Sequence, residues 1–256
     1  MADLEVGILI IGSLIWDPKP HRECWRRERL QREKAIRVLA PIRYGRISQG
    51  RANTYTMVFS NALLPDKLGR AIAVPCAEKV STPDELVTEA QALWAAEQST
   101  AAVPGPIAAS WGAVGLLLNP NRASLDDMRA GWTQRVTSER KWYSGFRHAA
   151  NEQPAVGDDG FLTVLWPTTE SGIALELDAL LATATQPSLS GGTYATSEVI
   201  AAAWRRAPEH RDYLDENRRV GITTSDDENI LRYLAAQPAN NGLQPSARDG
   251  MMARRG

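Results

Sequence analysis

Cysteine, histidine and net charge are all scarce in this sequence, and each shortage argues against a class of function. The 256 residues include two cysteines and three histidines, too few and too dispersed for a structural zinc site. Cys24 and Cys76 are far apart, so we expect no disulfide framework and a reducing compartment. Basic residues number 29 and acidic residues 30, a balance that argues against nucleic acid or an anionic membrane as partner, because both require a basic excess.

Long apolar runs are also missing. No window approaches the roughly 18 apolar residues that a membrane-spanning helix requires. The start of the chain is acidic, with Asp3 and Glu5, and lacks the basic residues of a secretory signal. We therefore expect a cytoplasmic protein with no membrane partner. Hydrophobic residues make up 43% of the chain, which is enough for a substantial core.

The first half of the chain is predicted to be rich in strands. Residues 6–11 form a continuous apolar run, which favours a central strand ended by Gly12. Further strands are predicted at 35–41, 53–60, 69–75 and 114–118. One helix among them should begin at Ser81 or Thr82, with Pro83 in its first turn. Charged residues dominate 21–34, and we interpret this segment as a solvated, partly helical connection.

The second half is predicted to be mainly helical. Helices are expected at 124–136, where Ser124 would be the cap, and at 175–184, 197–206 and 226–236, with a strand candidate at 161–166. Beyond Gln237 the chain has few apolar anchors and is predicted to be disordered.

Strands cluster in the first half and helices in the second, which favours an α+β fold over a doubly wound sheet. We expect a mixed β-barrel or one strongly curved sheet, with flanking helices and a helical C-terminal extension. One domain should span 1–236, with a core at roughly 1–120, the extension at 121–236 and a disordered tail at 237–256.

The first candidate site is Gly12-Ser13-Leu14, at the end of the first strand. Successive backbone N–H groups in such a turn form a concave anion site suited to a carboxylate. On local chemistry alone, a plain turn that ends the strand is the better interpretation.

The wider pattern resembles the gamma-glutamylcyclotransferase-like superfamily, most closely its glutathione-acting branch. Residues 10–18, IIGSLIWDP, are similar to the family's opening motif, and YGRISQGR at 44–51 and the strand that begins at Gly69 follow in the family's order. The helix that ends near Glu97 occupies the place of the family's catalytic glutamate. The resemblance covers roughly the first half of the chain, and Ile11 replaces a tyrosine of the family motif.

The resemblance implies an enzyme that releases 5-oxoproline and an amine from a γ-glutamyl amide. The substrate's own α-amine would attack its γ-carbonyl, so no metal, cofactor or protein nucleophile is expected. Glu97 would be the general acid and base, with a pKa raised by partial burial. The N–H groups of Gly12, Ser13 and Leu14 would hold the substrate carboxylate or polarise the carbonyl.

Other residues could also carry chemistry. Arg43, Arg46 or Arg51 could bind a carboxylate, and Arg51 is preferred because it enters a strand at the rim, with a structural ion pair as the equal alternative. Cys76 could be a thiol nucleophile if a histidine lay within hydrogen-bond reach, although a buried small hydrophobic residue is the plainer interpretation.

A second hypothesis is a non-catalytic small-molecule- or partner-binding protein on the same fold. A desolvated Glu97 beside the turn favours the enzyme, whereas an exposed Glu97, or a pocket filled by Trp16 or Trp94, favours the binding protein. We expect a γ-glutamyl or related amide as the small-molecule substrate, no nucleic acid, and a monomer or homodimer.

Overall fold

A computed structural model describes residues 3–98, 104–122 and 125–236. The described residues form strands β1 (Val6–Ile10), β2 (Ile36–Ala40), β3 (Ile42–Ser48), β4 (Thr54–Phe59), β5 (Gly69–Pro75), β6 (Ala108–Ala109), β7 (Gly112–Leu118) and β8 (Ala179–Thr185). They also form helices α1 (Pro20–Arg29), α2 (Pro83–Gln98), α3 (Asp126–Thr137), α4 (Arg140–Tyr143), α5 (Ser197–Arg206), α6 (Asp212–Val220) and α7 (Asp227–Ala235). The predicted cap at Ser124 and the predicted disorder of 237–256 lie outside the described residues.

Six strands form one mixed sheet in the order β2-β5-β1-β8-β7-β6, and β3 pairs with β4 in a separate hairpin. β1 is antiparallel to β5 and parallel to β8. All five residues of β1 are buried, as expected for an apolar run that is covered on both faces. The predicted α+β class is confirmed, and the six-stranded sheet has two unjoined edges, so no closed barrel forms among the described residues.

The helix predicted at 175–184 is wrong, because residues 179–185 are strand β8. β8 lies between β1 and β7, and six of its seven residues are buried. A short apolar run buried on both faces has no periodicity that distinguishes a strand from a helix. The strand predicted at 161–166 is also wrong, because Phe161 and Leu162 make only isolated bridges. The sheet therefore takes a central strand from the second half of the chain.

The packing of the helices brings distant segments to the end of β1. α1 contacts α2, α2 contacts β7 and β8, and α6 contacts the short turn that follows β1. The turn after β1 therefore meets a helix from the second half of the chain. None of the described helices combines the length and the apolar character needed to cross a membrane.

Gly112 is a position where a side chain has no room. β7 approaches β8 so closely that a Cβ built on Gly112 would lie 2.6 Å from the carbonyl oxygen of Ala184. Gly112→Ala should push the two strands apart and lower the free energy of unfolding by about 1–3 kcal/mol, as measured by urea unfolding. Gly50→Ala is the control, because nothing lies within 4 Å of a Cβ at that position. Equal stabilities of the two variants would contradict the close packing of β7 on β8.

Candidate active site

A cavity of about 670 Å³ lies at the C-terminal end of β1. Its wall includes the five residues that the sequence analysis assigned to the proposed cyclotransferase site: Gly12, Ser13, Leu14, Arg51 and Glu97. The structure thus brings together residues from the end of β1, the loop between β3 and β4, and the last turn of α2. Their chemical roles stay predictions.

The turn after β1 combines backbone N–H groups that have no partner among the described residues with carbonyl groups that are anchored by α1. Gly12 has extended backbone angles, and Ser13–Ile15 form a single 3-10 turn. Within the described ranges, the structure gives no protein acceptor for the N–H groups of Ser13 and Leu14. Such a pair of neighbouring N–H groups can bind an anion or a developing oxyanion.

The guanidinium of Arg26, on α1, anchors the other side of this turn. Its Nη1 donates to the carbonyl oxygen of Leu14 (2.6 Å) and its Nη2 to that of Asp17 (3.0 Å). The Arg26 residue is buried, and this burial lowers the pKa of the guanidinium. The turn is therefore held by a buried side chain from the next helix rather than by its own short hydrogen bonds alone.

Arg22, one helical turn before Arg26, connects the turn to α2. Its Nη1 donates to Ser13 Oγ (2.9 Å) and to Asp17 Oδ2 (2.8 Å). Its Nη2 donates to Glu97 Oε2 (3.1 Å), and its Nε donates to the carbonyl oxygen of Ala96 (3.1 Å). One buried cation thus holds two carboxylates and fixes the end of α2 against the turn.

The interpretation of 21–34 as a solvated connection is therefore wrong for the inner face of α1. Arg22, Trp25 and Arg26 are buried, and they recur at the spacing of one helix face. This spacing in the sequence could have indicated a buried helix face, but the glutamates interleaved with the arginines favoured a solvated segment. A buried arginine is tolerated here because carboxylates and carbonyl oxygens surround it.

Glu97 is a partly desolvated carboxylate with an opposite charge beside it. Its side chain is 18% exposed, and burial raises its pKa above the ordinary value. The cations Arg22 and Arg46 and the side chain of Thr183 lower the pKa of Glu97. The anion Asp17 raises it further. The net increase suits a carboxyl group that must both accept and release a proton.

Two further arginines line the cavity, and they differ in whether a carboxylate lies close by. Arg51 lies 3.8 Å from Asp17 and 3.6 Å from Asp212, and it belongs to a 3-10 turn rather than to a strand. Arg46 lies over the ring of Trp111, 4.9 Å from its centroid. In the part of the chain that the structure describes, no carboxylate is within 4.0 Å of Arg46. Arg46 is therefore the cavity cation with charge left for a ligand.

The indole of Trp111 is itself fixed by its stack on Trp94, at 4.7 Å between ring centroids. Trp94 is thus a packing residue of the core, and the cavity is not filled by it. Arg43, in contrast, does not line the cavity and lies over the ring of Tyr194 instead. Of the three arginines considered from the sequence, Arg46 and Arg51 reach the cavity.

Cys76 lies away from this cavity, at the end of β5. It is 3% exposed, and burial raises the pKa of its thiol far above the ordinary value. A raised pKa is the opposite of what a thiol nucleophile requires. Among the described residues, no cluster of three or more metal-ligating side chains was found.

Tyr213, on α6, is a cavity residue that the sequence analysis missed. Its ring lies 5.0 Å below the guanidinium of Arg51 and 6.4 Å from the ring of Trp16. No local pattern in the sequence connects α6 with the turn after β1, so the residue could be found only from the fold.

The chain was compared with models of protein families, with curated proteins and with solved structures, and none of them matches.

Arg26→Gln tests whether α1 holds the turn. The change removes the donors to the carbonyl groups of Leu14 and Asp17, which should lower the free energy of unfolding by about 1–3 kcal/mol. Hydrogen–deuterium exchange at the amides of Trp16 and Asp17 should become faster, because both donate to the turn that Arg26 fixes. Arg27→Gln, on the exposed face of the same helix, should leave exchange unchanged. Identical exchange in the two variants would exclude Arg26 as the anchor.

Proposed function

We propose that the protein is a gamma-glutamylcyclotransferase-like enzyme with the fold of that superfamily, which releases 5-oxoproline and an amine from a γ-glutamyl amide. The observation that carries the proposal is the position of the partly desolvated Glu97 carboxylate in one cavity with the Gly12–Leu14 turn. The similarity of residues 10–18 to the family's opening motif supports it independently.

The proposed reaction needs only one proton carrier. The Glu97 carboxylate takes a proton from the substrate's α-ammonium group, and the freed amine nitrogen forms a bond to the γ-carbonyl carbon. Glu97 returns this proton to the leaving nitrogen as the tetrahedral intermediate breaks the bond to it. The ring nitrogen still carries one surplus proton, which Glu97 transfers in the same way to the departing amine, so the amine leaves as an ammonium ion. The products are 5-oxoproline and the released amine, with no water consumed. Holding the amine against the carbonyl supplies much of the rate, as in other intramolecular reactions.

The charges of the cavity fit a zwitterionic substrate. Glu97 can pair with the ammonium group, and the free N–H groups of Ser13 and Leu14 can hold a carboxylate or the oxygen of the intermediate. Arg46 has no carboxylate partner in the described part of the chain, so its positive charge can bind a negatively charged group of the substrate. Arg51 is already close to two aspartates, and its proposed role is to shape the rim beside Trp16.

The alternative is a binding protein without catalytic activity, and one observation favours it. Arg22 lies 3.1 Å from Glu97, and a carboxylate held by a guanidinium can bind an ammonium group without taking its proton. The partial desolvation of Glu97 and the open cavity favour the enzyme.

Glu97→Gln separates the two functions. The amide keeps the shape of the side chain but cannot take a proton, so turnover should fall by about 10²–10⁴-fold. Substrate affinity should change less than turnover, because the base acts mainly in the transition state. The assay is release of 5-oxoproline from a panel of γ-glutamyl amides.

Glu89→Gln is the matched control for this variant. Glu89 lies on the same helix, is buried, and likewise pairs with an arginine, Arg29, at 2.9 Å. It does not line the cavity, so its replacement should reduce stability and leave turnover per folded molecule unchanged. Full activity of Glu97→Gln on a substrate that the wild type turns over would exclude Glu97 as the base.

The pH profile gives a second test through Arg46. If Glu97 is the base, kcat/KM should fall as the pH drops through its pKa, because the protonated carboxyl cannot accept a proton. Arg46 lowers that pKa, so Arg46→Gln should move the acidic limb to higher pH, while Arg46→Lys, which keeps the charge, should not. The remaining charged neighbours, Arg22 and Asp17, are unchanged in both variants. An acidic limb that stays in place or moves to lower pH in Arg46→Gln would contradict this assignment.

A further inference from the structure

The geometry points to Tyr213 as a substrate-contacting residue whose hydroxyl donates a hydrogen bond to the substrate oxygen held at the Gly12–Leu14 turn. This inference rests on the proposed function and assigns part of the site to the helical second half of the chain.

The hydroxyl of Tyr213 lies directly against the turn. A Cβ built on Gly12 would lie 2.7 Å from the phenol oxygen, and the next two nearest atoms also belong to the Tyr213 ring. The backbone angle φ of Gly12 is −168°, an extended value that any residue can adopt. The reason for a glycine at this position is therefore the close approach of Tyr213, not backbone strain.

The oxygen of this hydroxyl is held in place by a backbone donor. The N–H group of Met57, in β4, donates to it at 3.2 Å. The ring is fixed as well, because it packs edge-on against Tyr44 and Trp16. Tyr213 is 4% exposed, so the phenol is a rigid group rather than a mobile surface side chain.

The hydroxyl hydrogen of Tyr213 remains available to be donated to a ligand. Among the residues that the structure describes, the Met57 N–H group and the Asn217 side chain both act on the Tyr213 hydroxyl as donors, because both lower its pKa, and no acceptor for its proton is found, whereas a buried phenol usually has one. Burial raises the pKa of Tyr213 above its ordinary value, although these two donors and the cation Arg51 act against this shift, so the phenol keeps its proton at neutral pH. A neutral donor beside the free N–H groups of Ser13 and Leu14 completes a set of donors for one oxygen.

The helix that carries Tyr213 is fixed to the turn by a second contact. Trp16 Nε1 donates to Asn217 Oδ1 at 2.7 Å, and Asn217 lies one turn after Tyr213 on α6. The second half of the chain therefore supplies a wall of the cavity whose position relative to the turn is set by two side chains, which is what a substrate contact requires.

Tyr213→Phe is the direct test. It keeps the ring and removes only the hydroxyl, so kcat/KM for 5-oxoproline release from γ-glutamyl amides should fall by about 10–100-fold, the usual effect of losing a hydrogen bond to a charged or developing charge. Tyr44→Phe is the matched control, because Tyr44 is a buried tyrosine that does not line the cavity and whose hydroxyl has no partner among the described residues. Its activity per folded molecule should equal that of the wild type.

Gly12→Ala provides a readout that a purely structural role would not reproduce. The added methyl group must displace the hydroxyl, so this variant alone should lose activity. In the Tyr213→Phe background the methyl group has room, and the double variant should be no less active than Tyr213→Phe alone. This non-additivity is the expected result of a shared contact.

The outcomes separate this inference from the proposed function. A wild type that releases 5-oxoproline from no γ-glutamyl amide would overturn the proposed function and this role of Tyr213 with it. An active wild type whose Tyr213→Phe variant retains full kcat/KM would overturn the role of Tyr213 alone. Additive losses in the double variant would likewise exclude the contact between the hydroxyl and the turn.

Discussion

The arrangement of the cavity depends on one buried cation, the guanidinium of Arg22. It donates to Asp17 in the loop after β1 and to Glu97 at the end of α2, a residue 75 positions further along the chain. Breaking a buried ion pair by removing one partner costs several kcal/mol, because the other charge is left without a partner. The shape of the cavity is therefore coupled to the packing of α1 against α2. Arg26, on the same helix face, binds the carbonyl oxygens of Leu14 and Asp17, so the turn is held without using its N–H groups.

The same cation also sets the chemistry that is proposed for Glu97. Burial alone favours the protonated carboxyl, and a close guanidinium favours the ionised form. In Glu97 burial has the larger effect, and Arg22 and Arg46 moderate it. A carboxyl group balanced in this way can pass through both protonation states in one catalytic cycle, which a fully paired or a fully exposed carboxylate does less readily.

Local chemistry predicted those parts of the fold that depend on neighbours in the sequence, such as the buried strand that ends at Gly12 and the capped helix that leads to Glu97. Local chemistry gave wrong predictions where tertiary packing determines the structure. β8 is an apolar run whose burial on both faces removes the periodicity of a strand. Arg22 and Arg26 were assigned to solvent because of their charge, although burial becomes possible once carbonyl and carboxylate oxygens surround them. The hydroxyl of Tyr213 accepts a hydrogen bond from the N–H group of Met57, 156 residues away, and no short-range sequence pattern connects the two residues.

The most direct test of the account follows the oxygen atoms of the reaction. A γ-glutamyl amide is incubated with the protein in water enriched in a heavy oxygen isotope, and the products are analysed by mass spectrometry. Intramolecular attack by the amine predicts 5-oxoproline without the heavy isotope, together with an equal amount of free amine. Glutamate that has gained a heavy oxygen would show hydrolysis by water and contradict the cyclisation, and an unchanged substrate across the whole panel of amides would contradict catalysis at this site.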